Sequence, residues 1–157
     1  MGMILCSRNG GGKVRNSFSG WYFRCQSETQ TLAVIVSVHK SSDLEFCMIQ
    51  LISDTEAFSV QLPIIDFHMD HDHIQIGNRS FSRDGIRLDI HTETLHAKGF
   101  VQFGPLTPLR YDIMGPFRYV PFMQCRHSVY SLHHTVNGEL TINSVSYPLQ
   151  NAIGYIE

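Results

Sequence analysis

The sequence predicts an all-β fold, an antiparallel barrel or sandwich of about ten strands. Three observations predict it. Of 157 residues, 49 are Val, Ile, Thr, Tyr, Phe or Trp, whereas the helix-favouring Ala, Glu and Lys total 13, a balance that suits a pleated, half-buried surface. Val, Ile, Leu and Phe together number 46, enough for a real core in a chain of single-domain length and incompatible with disorder. Short apolar segments are punctuated by turn residues at the spacing of an antiparallel barrel.

The elements follow in order. Residues 1–18, with Gly10-Gly11-Gly12 at their centre, read as a flexible entry, and 19–157 as one β domain. The Gly12-Lys13 pair lacks the flanking Gly and Ser or Thr of a phosphate loop. Strands are expected at 19–26, 31–39, 45–52, 57–62, 73–76, 79–82, 86–91, 96–103, 124–136, 139–143 and 145–149. Ser41-Ser42-Asp43 is a loop, Gly77-Asn78 and Asp84-Gly85 supply positive-φ positions, and Asn137-Gly138 fits a type I′ hairpin turn. Strands joined by such short turns are antiparallel. Residues 106–121, broken by Pro108, Pro116 and Pro121, cannot form a central strand and read as a long crossing connection over an opening.

Charge narrows the function classes. Twelve basic against 14 acidic residues leave a net charge of -2, without the basic excess of a nucleic-acid partner. No apolar run approaches the ~20 residues of a membrane span, and the N-terminus matches neither a signal peptide nor a myristoylation site. Cytoplasm is the expected compartment, and Cys6, Cys25, Cys47 and Cys125, with no pair at metal-knuckle spacing, are expected as reduced thiols.

Two constellations could carry chemistry. Asp66, His68, Asp70, His71, Asp72 and His73 crowd into eight residues; such groups could hold zinc or another divalent ion. They also stand where a solvated turn between two strands is needed, and that is the reading taken, with no metal or other cofactor expected. In 124–136, an extended strand would put Cys125, His127, Ser131 and His133 on one face and Arg126, Tyr130 and His134 on the other. Polar groups on both faces suit hydrogen-bonded structural histidines, a group that polarises a ligand or moves a proton, or a cysteine nucleophile with a histidine base.

Gly20-Trp21-Tyr22-Phe23, the run from Asp112 through Ile113-Met114-Gly115-Pro116 to Phe117, the Cys125/His127/Ser131/His134 segment and the terminal Gly154-Tyr155-Ile156-Glu157 together resemble the tocopherol cyclase-like proteins. The resemblance runs from Gly20 to Glu157. It implies a lipocalin-like barrel, the first of two related β domains, with a cavity for an isoprenoid or other hydrophobic small molecule. In that family an acid protonates a prenyl double bond and a phenol oxygen captures the cation, an intramolecular cyclisation of the isomerase class that needs a proton donor in a water-poor pocket. By resemblance, Glu157 matches the glutamate of the family's Tyr-x-Glu element and is the candidate acid. Trp21, Tyr22, Cys125, His127, Ser131 and His134 are the candidate ligand-binding residues. In the family a further β domain follows that glutamate, whereas this sequence stops at Glu157. The expectation is therefore a domain that binds an apolar ligand with at most residual cyclase chemistry, the alternative being an active cyclase. An apolar patch or open strand edge near the C-terminal strands, covered by a second β domain or by another copy of the chain, is expected with it.

Overall fold

A computed structural model describes residues 4–9, 15–120 and 125–157. The chain is all-β, as the composition predicts, with almost no helix. Its strands are β1 (Ile4–Asn9), β2 (Arg15–Gln26), β3 (Thr31–Lys40), β4 (Glu45–Ser53), β5 (Ala57–Pro63), β6 (Phe67–Asp70), β7 (His73–Ile76), β8 (Arg79–Ser82), β9 (Gly85–His91), β10 (His96–Phe103), β11 (Cys125–Arg126), β12 (Ser131–Ile142) and β13 (Val145–Ile156). Eleven of them form one antiparallel, nearly closed barrel in the order β5-β4-β3-β2-β13-β12-β10-β9-β8-β7-β6, while β1 pairs with β2 and β11 beside that path.

Alternation builds the interior. Trp21, Phe23 and Cys25 of β2, Val34 and Val36 of β3, Ile49 and Leu51 of β4, and Ile86, Leu88 and Ile90 of β9 all bury their side chains in one apolar cluster. Phe23 lies 6.2 Å, centroid to centroid, from both Phe81 and Phe103, so aromatic rings from β2, β8 and β10 meet across the barrel. Trp21 stacks on Phe67 of β6 at 6.2 Å.

Several local expectations change. Asn137-Gly138 is not a hairpin turn: it lies inside β12, where the register with β13 shifts between Val136 and Gly138. Gly138 holds φ 139°, and a Cβ there would run into the backbone of Phe100 and Val101 on β10, so the residue serves a close strand crossing rather than a turn. The hairpin turns instead at Asn143 and Ser144, both at positive φ (45° and 71°). The expected strand 124–136 is broken, because β11 is two residues long and β12 starts at Ser131. Residues 66–73 are only partly a turn: Phe67–Asp70 is a strand and His71, at φ 44°, makes the turn into β7. The segment read as a flexible entry carries β1 and the start of β2. The Pro-rich connection is free of strands through Val120, with one 3-10 turn at Gly115–Tyr119; its last residue, Pro121, lies outside the described residues.

The C-terminal strands are mostly interior to the sheet, yet the pairing of β13 with β2 runs only over Ile153–Ile156. Pro148, which cannot donate to a ladder, sits in the remaining stretch of β13. Val145, Ile153 and Leu132 on β13 and β12 are exposed.

Candidate functional site

A cleft of about 900 Å³ lies at one end of the barrel, between the β8–β9 turn, the end of β10 with the residues after it, and residues 128–130. Each wall has a local cause. Phe103 closes β10, and its N–H bonds the Asp84 carbonyl at 2.8 Å, so the end of the strand and the β8–β9 turn are tied together. Gly104 follows where the chain passes against Thr135, whose hydroxyl a Cβ would strike. Pro105, Leu106 and Pro108 then line one side, and Val129 and Tyr130 another. Two bonds hold these walls to the sheet, Leu132 N–H to the Thr107 carbonyl and Tyr130 N–H to the Ile156 carbonyl, both 2.8 Å.

At the rim, Arg83 places its guanidinium carbon 5.5 Å from the Tyr130 ring centroid and pairs with Asp72 at 3.3 Å. Burial, followed by the hydrogen bond to the Asp72 carboxylate, raises the Tyr130 pKa. Asp72 is thus the member of the His and Asp cluster that reaches the cleft. Sequence reasoning did not select Arg83, Phe103, Leu106 or Tyr130; the one available signal was the Pro-rich crossing that begins there.

Beneath the floor sits His134, 2 % exposed. Its ring meets Phe103 edge to face at 4.7 Å and lies against Gly154. Nδ1 is 3.0 Å from Ser131 Oγ. Ser131 Oγ also accepts the Thr107 N–H and donates to the His133 carbonyl, each at 3.1 Å. With its hydroxyl proton committed to that carbonyl, Ser131 receives the Nδ1–H of His134, and Nε2 is left as a buried lone pair with no hydrogen-bond partner among the described residues. Burial lowers the His134 pKa to about 4, helped by the neighbouring His133. Ser131 and His134 both face inward because the β12–β13 register shifts between them. The strict alternation expected for this segment assigned them to opposite faces.

The other sequence-selected residues lie elsewhere. Trp21 is in the core, 2 % exposed. Tyr22, one position along, points outward and meets the Tyr155 ring at 6.2 Å. Glu157 is on that same outer side, because Ala152, Gly154 and Ile156 take the inward positions of β13. Its carboxylate accepts the Tyr155 hydroxyl at 3.0 Å and lies 3.1 Å from His127 Nδ1. Burial first, then the hydrogen bond to Glu157, raises the Tyr155 pKa to about 12. His127 and Glu157 therefore form one pair on the outside and His134 belongs to a second group inside; the three do not converge on one cavity. The Cys125 side chain lies outside the described residues.

Cys25 and Cys47 are buried free thiols whose pKa values burial raises to about 12 and about 11, which removes the reactive thiolate. Among the described residues no three His, Cys, Asp or Glu side chains gather as a metal centre. No helix is long and apolar enough to cross a membrane. Comparison with family models, with curated proteins and with solved structures found no match.

Proposed function

We propose that this chain is a β-barrel that binds a hydrophobic small molecule of isoprenoid size, of the tocopherol cyclase-like kind, and that the ligand occupies the barrel-end cleft. The observation that carries the reading is the cleft itself. Its volume of about 900 Å³ falls in the roughly 300–1,000 Å³ range of small-molecule sites. Phe103, Pro105, Leu106, Pro108 and Val129 give it apolar surface, and Arg83, Asp84, Gln102, Ser128 and Tyr130 add polar groups. That mixed lining suits an amphiphile with an apolar tail and a hydroxylated head. The buried, unpaired thiols of Cys25 and Cys47 suit a reducing compartment such as the cytoplasm.

Titration of the purified chain with phytyl hydroquinone, followed through the methyl resonances of Leu106 and Val129, tests this. Saturable binding is expected, weakened at least about tenfold by Leu106→Asp or Val129→Asp, a loss of about 1.4 kcal/mol. Absence of saturation, or affinity unchanged from the parent in both variants, would overturn it.

A second reading, an active cyclase, draws support from the His127–Glu157 pair. The carboxylate receives the Nδ1–H of the imidazole and so holds the ring in one orientation, an arrangement able to pass a proton through Nε2. The space beside His127, bounded by Asp112, Met114 and Phe117, is about 170 Å³, too small for a prenyl tail, which is why binding is the preferred reading. Chromanol formation from phytyl hydroquinone, lost by about 100-fold or more in His127→Ala, would establish the cyclase. Binding without turnover would leave the first reading alone.

A further inference from the structure

The β9–β10 hairpin, at the ends of these two strands opposite the cleft and unused by either reading, carries two imidazoles in an unusual relation. His91 and His96 stand directly opposite each other at the end of the ladder. Their rings are 5.6 Å apart at 67°, and Nδ1 faces Nδ1 at 3.4 Å. On the far side of the His91 ring, Nε2 lies 3.0 Å from Asp89 Oδ1. A carboxylate accepts and does not donate, so His91 carries a proton on Nε2, and in its neutral form the ring turns a lone pair at Nδ1 toward His96.

Without an ion, His96 can donate its own Nδ1–H to His91 across the 3.4 Å. When both nitrogens instead present lone pairs, they form a two-point ligand for a cation, and the spacing fits one. Two imidazole nitrogens bound to zinc at about 2.0–2.1 Å, separated by the tetrahedral angle of about 109°, stand about 3.3–3.4 Å apart. Cis positions of a square or octahedral ion at the same bond length would bring them to about 2.9 Å.

We propose that His91 and His96 chelate a zinc-like divalent cation through their Nδ1 atoms, with Asp89 as the positioning residue that holds the His91 tautomer. The pairing of a ligating imidazole with a carboxylate on its other nitrogen is the usual support for such a ligand. Local backbone order prepares the pair. The Thr92 N–H donates to the Leu95 carbonyl at 2.9 Å, the Thr92 hydroxyl accepts the Leu95 N–H at 3.0 Å, and the His96 N–H donates to Asn143 Oδ1 at 2.8 Å. These bonds fix both histidine backbones before any ion arrives. The protein contributes two ligands, and the two remaining tetrahedral positions face solvent, since His91 is 62 % exposed. The site therefore has open positions for water or for an incoming donor group, unlike a closed structural site.

Zinc titration of the full chain, by calorimetry and by imidazole nitrogen resonances, tests the proposal. One zinc per chain is expected to perturb the His91 and His96 resonances first. His96→Ala should weaken binding at least about tenfold, and Asp89→Asn should weaken it about 10-fold or more while leaving both ligands in place. Because all three side chains lie on the outer surface, the circular dichroism of the variants should match that of the parent. If zinc perturbs His68, His71 and His73 before this pair, if His96→Ala binds as the parent does, or if no saturable binding occurs, the proposal fails.

Discussion

His134 is the residue with the most at stake in the core. Its imidazole stays neutral in the folded chain down to about pH 4, against 6.5 for an ordinary imidazole. On acidification from 6.5 toward 4 the unfolded chain takes up a proton that the folded chain refuses, so stability falls across that window and is unaffected by this group above it. The full effect approaches about 3 kcal/mol. Denaturant unfolding at neutral pH and near pH 4.5 should show a steeper acid loss in the parent than in His134→Gln; equal losses would remove the burial argument. Gly154 is coupled to the same ring, since a Cβ would overlap the imidazole. Gly154→Ala should cost about 1–3 kcal/mol by overpacking, and much of that cost should vanish when His134→Ala is added. A double-mutant cycle reads this directly, and additive effects would show that the ring is not the obstacle. At this scale the sequence singled out His134 and Ser131, but the side of the sheet that each faces was illegible. Period-2 reasoning separates residues 131 and 134, and only the irregular pairing with β13 brings both inward.

Among the elements, the hairpin joining β12 and β13 shows what local turn chemistry can and cannot settle. Asn-Gly is a strong turn signal, yet at 137–138 the ladder continues through it, and the turn forms at Asn143-Ser144. The tie-breaker is tertiary. Asn143 Oδ1 accepts the His96 N–H at 2.8 Å and its Nδ2 donates to the Thr94 carbonyl at 3.4 Å, which links this turn to the β9–β10 hairpin. Asn137 instead uses Oδ1 to accept the Asn151 N–H at 2.9 Å, within the irregular pairing. Ser144 at φ 71° is strained for a side chain with a Cβ, so Ser144→Gly should stabilise the fold by about 0.5–1 kcal/mol. Asn143→Ala should destabilise by about 1–2 kcal/mol by leaving those groups unpaired. Thermal unfolding of the two variants should shift in opposite directions. Most strands were legible because each has its own apolar alternation and turn residues. The break at 127–130 was not, because polar residues on both faces carry no period.

For the whole molecule, the near closure of the barrel depends on contacts between strands far apart in the sheet order, and these were the least legible from sequence. Composition could say that a core exists but not that β2 and β6, seven places apart along the sheet, meet through Trp21 and Phe67. Trp21 is the sole tryptophan and is 2 % exposed, so its fluorescence reports this meeting without labelling. Because one apolar cluster draws on strands from β2 through β13, unfolding is expected as a single transition in which tryptophan emission and circular dichroism change together. Phe67 lies on the last strand of the sheet path and is half-buried, so Phe67→Ala should cost about 1–3 kcal/mol, below the range for a fully buried phenylalanine. It should also shift Trp21 emission to longer wavelength before global unfolding, as the ring loses its stacked partner and water reaches it. An unshifted emission in that variant would mean that β6 contributes nothing to covering Trp21, and the barrel would then be held shut by its remaining strands alone.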